Sequence, residues 1–534
     1  MKQTIGSVDH SRVQLRPING RLRSSDYINA NYVDEVGYGK EKAYIATQGP
    51  LPQTFADFWR MIWEQNSLVI IMITNIMERG RRKCDKYWPE EGIEQHGPIS
   101  VKHINTFSRS HYTVRIFSLK NTKIKKQFSE RIVHQFHYTE WPDHGVPDFT
   151  LPVLKFVQKS SAAAHNPPGQ GPIVIHCSMI QKMKDIGKIN VPQFLLHIRK
   201  QRNFLVQTED QYMLIHDALV EYIISGGDTE VKKSDLSKFI DKLTEKEDGV
   251  EESLLDKQYK LVTSYTPKEA DKSVALKNFN VDKNRNQDFL PLNVKRVSLP
   301  FKPGEEGSNY INATYLQGYN KTDEFILTQH PLESTVEDFW RMVWDQNSSV
   351  ILLLSPVDDD EFKKFWPEKD EPIEVDTGNF KLGFREEDET AHYVVRDFLL
   401  ESTQDLALHK AFDMVETIKD LHKQNDIGPI IVVDKYGGVQ GSKFCALCAL
   451  HDQLIHDKAV DVYHLCKLFH TKRSGIIGSK EDYMFLYEVL ESFYQDQTEK
   501  ESNSFSHHLH LRGSSKKNGS LPKSPTLSAK IETN

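Results

Sequence analysis

Few cysteines, no long apolar run and no lopsided charge set the first limits on this 534-residue chain. The five cysteines, Cys84, Cys177, Cys445, Cys448 and Cys466, follow no disulfide spacing, which points to a reducing compartment and excludes a stapled scaffold. Cys445 and Cys448 make a lone C-x-x-C without a second pair, so they read as buried structural thiols, and no metal ligands are assigned. The longest apolar stretch, Leu68-Val69-Ile70-Ile71-Met72-Ile73, is strand-length, well short of the ~18–20 residues that cross a bilayer. The opening MKQTIGSVDHSRVQL has no signal-peptide core, so the chain as written is expected in the cytoplasm with no membrane segment. A net charge of −7 gives no general pull toward nucleic acid or an anionic membrane. What is left is a globular composition, 38% hydrophobic and 27% charged, long enough for two ordinary domains and linkers.

The chain repeats itself. ATQGPLPQTFADFWRMIWEQNS at 46–67 returns as LTQHPLESTVEDFWRMVWDQNS at 327–348. DYINANY at 26–32 returns as NYINATY at 309–315, KYWPE at 86–90 as KFWPE at 364–368, and GPIVIHCS at 171–178 as GPIIVVDK at 428–435. A period this long means two whole domains of one fold rather than a solenoid. The expected limits are 1–226 for the first domain, 227–257 for a charged linker with an opening helix, and 258–497 for the second. Residues 498–534, rich in Ser, Lys and His, are expected to be a disordered tail.

Phe55, Phe58, Trp59, Ile62 and Trp63 form one apolar helical stripe, with Thr54 and Asp57 as a capping-box start. Ser67–Thr74, Arg131–Tyr138 and Gly171–His176 read as strands. Pro192 opens a helix, and Thr208 caps a last amphipathic helix carrying Tyr212, Ile215, Leu219 and Tyr222. Strands mixed with helices and irregular loops give an α/β class with a helix-covered sheet.

Three motifs carry chemistry. Cys177 ends a buried strand, where loop amides and a helix N-terminus can lower a thiol pKa and hold phosphoryl oxygens. Asp143 lies in WPDHGVP, a stiff-ended loop that suits a mobile general acid. Gln207 opens QTEDQ, and a glutamine there can orient a hydrolytic water. Together with DYINANY, ATQGP, DFWRMIWE and KYWP, these motifs resemble the tandem catalytic region of receptor-type protein tyrosine phosphatases. The likeness runs from about Val8 to Tyr494. RRKCDKYWP, NTKIKK and HIRKQRNFLVQTEDQY are most similar to the gamma/zeta subgroup. The resemblance implies two tandem phosphatase-like domains, each a twisted mixed sheet covered by helices, and hydrolysis of phosphotyrosine proteins without a cofactor. It implies Cys177 as the nucleophile that forms a phosphocysteine and Asp143 as the acid for the leaving tyrosine. Gln207 would position the second-step water, with Gln211 nearby and Lys83 at the rim. Domain–domain or dimer contacts through the second domain are implied as well.

The sequence departs from that pattern twice. The family's active loop is H-C-x5-R, but here Cys177 is followed by SMIQKM and position 183 is Met. Cys177 to Gln207 spans 30 positions, against 44 from Asp434 to Gly478 in the second copy, so the first copy is 14 shorter. The second copy keeps a glycine loop, Gly437 to Gly441, and a helix from about Lys443 to His451. Its nucleophile position, however, is Asp434 and its arginine position Gln440, a degenerate second site. A thiol without its amide cradle and guanidinium loses phosphoryl stabilisation, and one preorganised donor alone is worth ~10²–10³ in rate. An impaired enzyme acting as an interaction or regulatory module is therefore the alternative reading. The loss is also expected to leave apolar sheet surface uncovered. Tyr87 to Gly171 spans 84 positions and Phe365 to Gly428 only 63, so the second copy is 21 shorter there, with no W-P-D and a central strand in question.

Overall fold

The computed structural model describes residues 7–18, 23–35, 40–78, 81–124, 130–142, 145–163, 170–176, 190–203, 205–246, 252–264, 271–354, 362, 364–367, 380–389, 394–402, 406–409, 428–491 and 493–494. Each half of the repeat folds around its own mixed sheet. In the first, nine strands run in the order Arg12–Gln14, Tyr27–Glu35, Lys40–Thr47, Ile173–His176, Val69–Met72, Glu130–Tyr138, Tyr112–Asn121, Ile99–Ser108, Ile93–His96. The strand Ile173–His176 is the centre, parallel to Lys40–Thr47 on one side and to Val69–Met72 on the other. Its four residues are buried on both faces, as a continuous apolar run requires.

Helix Phe55–Glu64 covers one face. Its stripe packs as expected, and the indole Nε1 of the fully buried Trp59 donates to the Tyr87 carbonyl at 2.8 Å. The start differs from expectation. A 3-10 turn, Pro52–Thr54, precedes the helix, and the Thr54 hydroxyl accepts from the Leu51 N–H at 2.9 Å instead of capping downstream. The helix ends at Asn66 with φ +54, a left-handed cap, and the Asn66 carbonyl accepts from the Gly171 N–H. The second domain repeats this detail with Asn347, φ +51, and Gly428.

The second domain keeps the parallel centre, Phe325–Gln329, Ile430–Asp434 and Ile351–Leu353, in a five-stranded sheet begun by Arg296–Ser298 and Tyr310–Leu316. Strands Phe380–Glu389, Val394–Ser402 and Leu406–His409 form a separate sheet. In the first domain the nine-residue strand Glu130–Tyr138 joins these two parts by pairing with both Val69–Met72 and Tyr112–Asn121. In the second, Leu406–His409 has four residues and pairs only with Val394–Ser402 among the described residues. The 21-position shortfall thus coincides with a sheet in two parts.

The 14-position shortfall has a different effect. In the second domain, helix Val439–Asp457, longer than expected, lies against the last helical layer, and Tyr483, Leu486, Tyr487 and Leu490 are at most 1% exposed. The matching Tyr212, Ile215, His216 and Leu219 are only half-buried, while Met213, Val220 and Ile223 are exposed. The sheet itself is not uncovered. Ile173 and Ile175 pack with Val191, Leu195 and Ile198, because helices Val191–Gln201 and Glu209–Ile224 lie over that face. The apolar exposure expected on the sheet falls on the outer side of a helix.

The domains meet along a polar seam. Glu221 receives the Lys467 ammonium at 2.8 Å on both carboxylate oxygens and the Tyr463 hydroxyl at 3.2 Å. Lys155 bridges Asp461 at 2.7 Å and Glu230 at 2.6 Å. The Arg109 guanidinium sits 4.4 Å from the Tyr319 ring centre, and Val231–Lys232 pairs antiparallel with Ala459–Val460. The tail from 498 lies outside the described residues.

Candidate active site and its degenerate copy

Two of the three residues expected to do chemistry, Cys177 and Asp143, lie outside the described residues, and what the structure describes is their frame. The strand leading to Cys177 ends at His176, which is fully buried. Its Nε2 is 2.8 Å from the Tyr87 hydroxyl, and that hydroxyl accepts from the Gln135 side-chain amide at 2.8 Å. Burial, and then the neighbouring His137, push the His176 pKa down to about 3, so the ring is neutral at physiological pH. Its Nδ1 has no partner among the described residues. This polar chain fixes the strand end against the Phe58 and Tyr87 rings. The second domain has Val433 and Phe365 at these places, so the chain exists only in the first.

The segment leading to Asp143 is held at its root. The Asn75 side-chain amide donates to the carbonyls of Thr139 at 3.1 Å and Trp141 at 3.4 Å, and Trp141 packs edge-on against Tyr138. Gln207 is exposed. It follows Val206, whose φ of +57 is a genuine outlier for a β-branched residue. Arg199 stabilises that turn by donating to the carbonyls of Leu205 and Val206. Backbone strain of this kind persists only where surroundings impose it, and it clusters at functional sites. The Gln211 side-chain oxygen accepts from the Gln207 N–H at 2.8 Å, so Gln211 braces the turn, while Thr208 caps the helix as expected. Lys83 is exposed. Nothing in the sequence marks the His176 clamp or the Val206 strain, since alternation in the strand would group Gln135 with Arg131 and His137 on its more polar side.

In the second domain the whole loop is described. Asp434, 5% exposed, occupies the cradle with its own carboxylate. One oxygen accepts from the N–H groups of Tyr436 at 3.0 Å and Gly438 at 2.9 Å, the other from Gly441 at 2.9 Å. Gly437 has φ +66, and a Cβ on Gly441 would lie 2.4 Å from Leu327 Cδ1, so the loop needs both glycines. Gln440 is exposed. Phe362 is fully buried nearby, with Arg285 4.8 Å and Lys435 4.4 Å from its ring centre. Cys445 and Cys448 are buried in the helix behind, where burial raises the Cys445 thiol pKa. No helix among the described residues is long and apolar enough to cross a membrane.

Comparison with known proteins agrees with this frame. The family model for protein-tyrosine phosphatase matches residues 2–221, 280–410 and 407–492. Tyrosine-protein phosphatase 99A of Drosophila melanogaster is 44% identical over 520 residues, 91% of this chain and 39% of that protein. Receptor-type tyrosine-protein phosphatase zeta of Homo sapiens is 42% identical over 543 residues, 93% of this chain and 23% of its own length. Receptor-type tyrosine-protein phosphatase S of Gallus gallus is 36% identical over 521 residues, 90% of this chain and 33% of its length. The chain thus spans about a quarter to two-fifths of these relatives. With two copies of one fold, a clamped strand end in the first and matches across both, the chain belongs to the protein-tyrosine phosphatase family, with the tandem phosphatase domains of its receptor-type members.

Proposed function

We propose that the reaction built into the first domain, placed at 1–226, is hydrolysis of phosphotyrosine in proteins. Cys177 attacks phosphorus and forms a phosphocysteine as the tyrosine leaves with a proton from Asp143. Gln207 orients the water that releases phosphate, Gln211 holds Gln207, and Lys83 lies at the rim. The observation that supports this reading is the retained frame: His176 clamped by Tyr87 and Gln135 immediately before Cys177, with strained Val206 immediately before Gln207. Substrates are phosphotyrosine proteins in the cytoplasm. The second domain, placed at 258–497 after a linker at 227–257, does no chemistry, because a carboxylate held by loop amides is not a phosphoryl nucleophile without its arginine.

A second reading is favoured by Met183 in the arginine position and by the missing 14 positions. On it, the chain is an impaired phosphatase that acts as an interaction or regulatory module. Without the fork of a guanidinium, Lys182 or Lys184 supplies only a point charge. Turnover of a phosphotyrosine peptide by the purified chain separates the two. Activity that disappears in Cys177→Ser supports the first; no turnover in either protein removes it and leaves the module.

A further inference from the structure

The end of the first domain's sheet away from Cys177 carries a cavity that the proposed reaction does not use. Strand Glu130–Tyr138 runs parallel to Val69–Met72, with His134 level with Val69 and His137 level with Met72, and Met72 is in turn level with His176. Cys177 therefore follows the exit of these strands. Arg131 stands at their entry, six positions before His137 and so about 20 Å back along the strand. There a cavity of about 520 Å³ opens between the end of helix Phe55–Glu64 and the segments 16–18 and 121–124. Its volume is that of a small-molecule site.

The lining is unbalanced in charge. Arg16, Arg60, Lys123 and Arg131 are set against one acid, Glu64, which leaves a net charge of +3. Glu64 is already engaged: one oxygen accepts from the Arg16 N–H at 2.8 Å, and the other is 3.7 Å from Arg60 Nε. Arg60 is 5% exposed, and its Nε has no hydrogen-bond partner among the described residues. Its Nη2 donates to the Ser25 carbonyl and stands 3.5 Å from Asp57, which is outside the lining. Arg131 lies 4.0 Å from the Trp63 ring centre and donates to the Trp63 carbonyl, with no ion pair among the described residues. Burial alone lowers its pKa, and no acid offsets that. A half-buried guanidinium without a carboxylate favours an anion that can fill its fork. Ile18, Pro98 and Ile124 give the cavity an apolar side.

We propose that this cavity binds a small organic phosphate with two or three negative charges, its phosphoryl oxygens on Arg131, Arg60 and Lys123 and its carbon body against Ile18, Pro98 and Ile124. The volume exceeds what one phosphate ion fills, and the net charge calls for more than a monoanion. Nucleoside diphosphates and phosphorylated inositol headgroups share this chemistry. The proposal uses only the cavity and stands whether or not Cys177 is active.

The test is titration calorimetry of the full chain, in the Cys177→Ser background, with ADP and with inositol trisphosphate. At least one should bind, more weakly as salt is raised. Lys123→Ala and Arg131→Gln should each weaken that binding about tenfold, while Lys123→Arg keeps it. If Arg131→Gln does not fold, the exposed pair Lys123→Ala and Arg16→Ala is held to the same result. Sedimentation with phosphatidylcholine vesicles, with and without phosphatidylinositol bisphosphate, separates the two sources. Capture only on the phosphorylated vesicles, reversed by inositol trisphosphate, supports the proposal with a lipid headgroup as ligand. Binding of a free probe without capture supports it with a soluble one. No binding of any of these probes overturns the proposal. Binding that survives all the charge variants overturns it equally, since the phosphate then sits elsewhere on the chain.

Discussion

Lys467→Met is the sharpest perturbation the fold offers. Lys467 is 1% exposed and Glu221 5%, in different domains, and the ammonium meets both carboxylate oxygens at 2.8 Å. The Tyr463 hydroxyl donates to Glu221 at 3.2 Å and accepts from Lys467 at 3.0 Å. Methionine fills similar volume but leaves Glu221 as a buried charge with one neutral donor. Breaking such a pair costs ~3–5 kcal/mol, whereas replacing both partners with apolar groups is often neutral or stabilising. For domains of this size that cost lowers the melting temperature by on the order of 10 °C. Calorimetry of the parent, Glu221→Leu, Lys467→Met and the double variant closes the cycle. The double variant should melt near the parent and well above Lys467→Met, giving a coupling of a few kcal/mol. If Lys467→Met melts within ~1 °C of the parent, or if the double variant loses the sum of both single losses, the two charges do not share one buried contact.

Gly171→Ala and Gly428→Ala should each destabilise their own domain by more than ~2 kcal/mol, since a Cβ would lie 1.8 Å from the Gln65 carbonyl oxygen and 1.7 Å from that of Gln346; denaturant titration checks this. Acid should weaken the fold through its buried histidines. Burial pushes His176 and His111 to about 3 and His137 and His464 to about 4 from an ordinary 6.5, so each is neutral when folded and protonated when unfolded. The histidine contribution should be level above pH ~7 and fall below ~6.5 by up to ~1.4 kcal/mol per pH unit for each such histidine, measured by melting across that range. Lys472, buried at the seam with its ammonium 3.1 Å from Gln317, is pushed down to about 7 by burial and then by Lys295. The unfolded chain holds that proton to higher pH, so stability should rise from pH 7 toward 10, and Lys472→Met should melt higher than the parent at pH 7 and abolish that part of the rise.

Much of the fold is written in local order. The repeated D-F-W-R-M helix, its Gln-Asn-Ser end and the Gly-Pro-Ile strand recur because each copy must satisfy the same left-handed asparagine and the same close approach of glycine to the helix end. Periodicity therefore placed the central strand, the covering helix and the Thr208 cap. Thr54 departs from the capping pattern T-x-x-D because the preceding 3-10 turn claims its hydroxyl instead. The proposed active-site residues Cys177, Asp143 and Gln207 stand out only as motifs, and of the three the described residues include Gln207 alone.

From sequence alone came the pair of domains, the family likeness, the broken loop after Cys177 and the carboxylate at position 434, because identity and spacing are properties of the chain. Tertiary structure alone decided that Asp434 fills its own cradle, that His176 is locked by Tyr87 and Gln135, and that Glu221 and Lys467 form one buried contact. The cradle is a tight loop folding back over 2 to 7 positions, while the other two depend on groups brought together from 48 to 246 positions apart, and on burial that turns weak local attractions into strong ones. The shift of apolar exposure from the sheet to helix Glu209–Ile224 belongs to the same class, since only the packed arrangement shows which surface closes a gap.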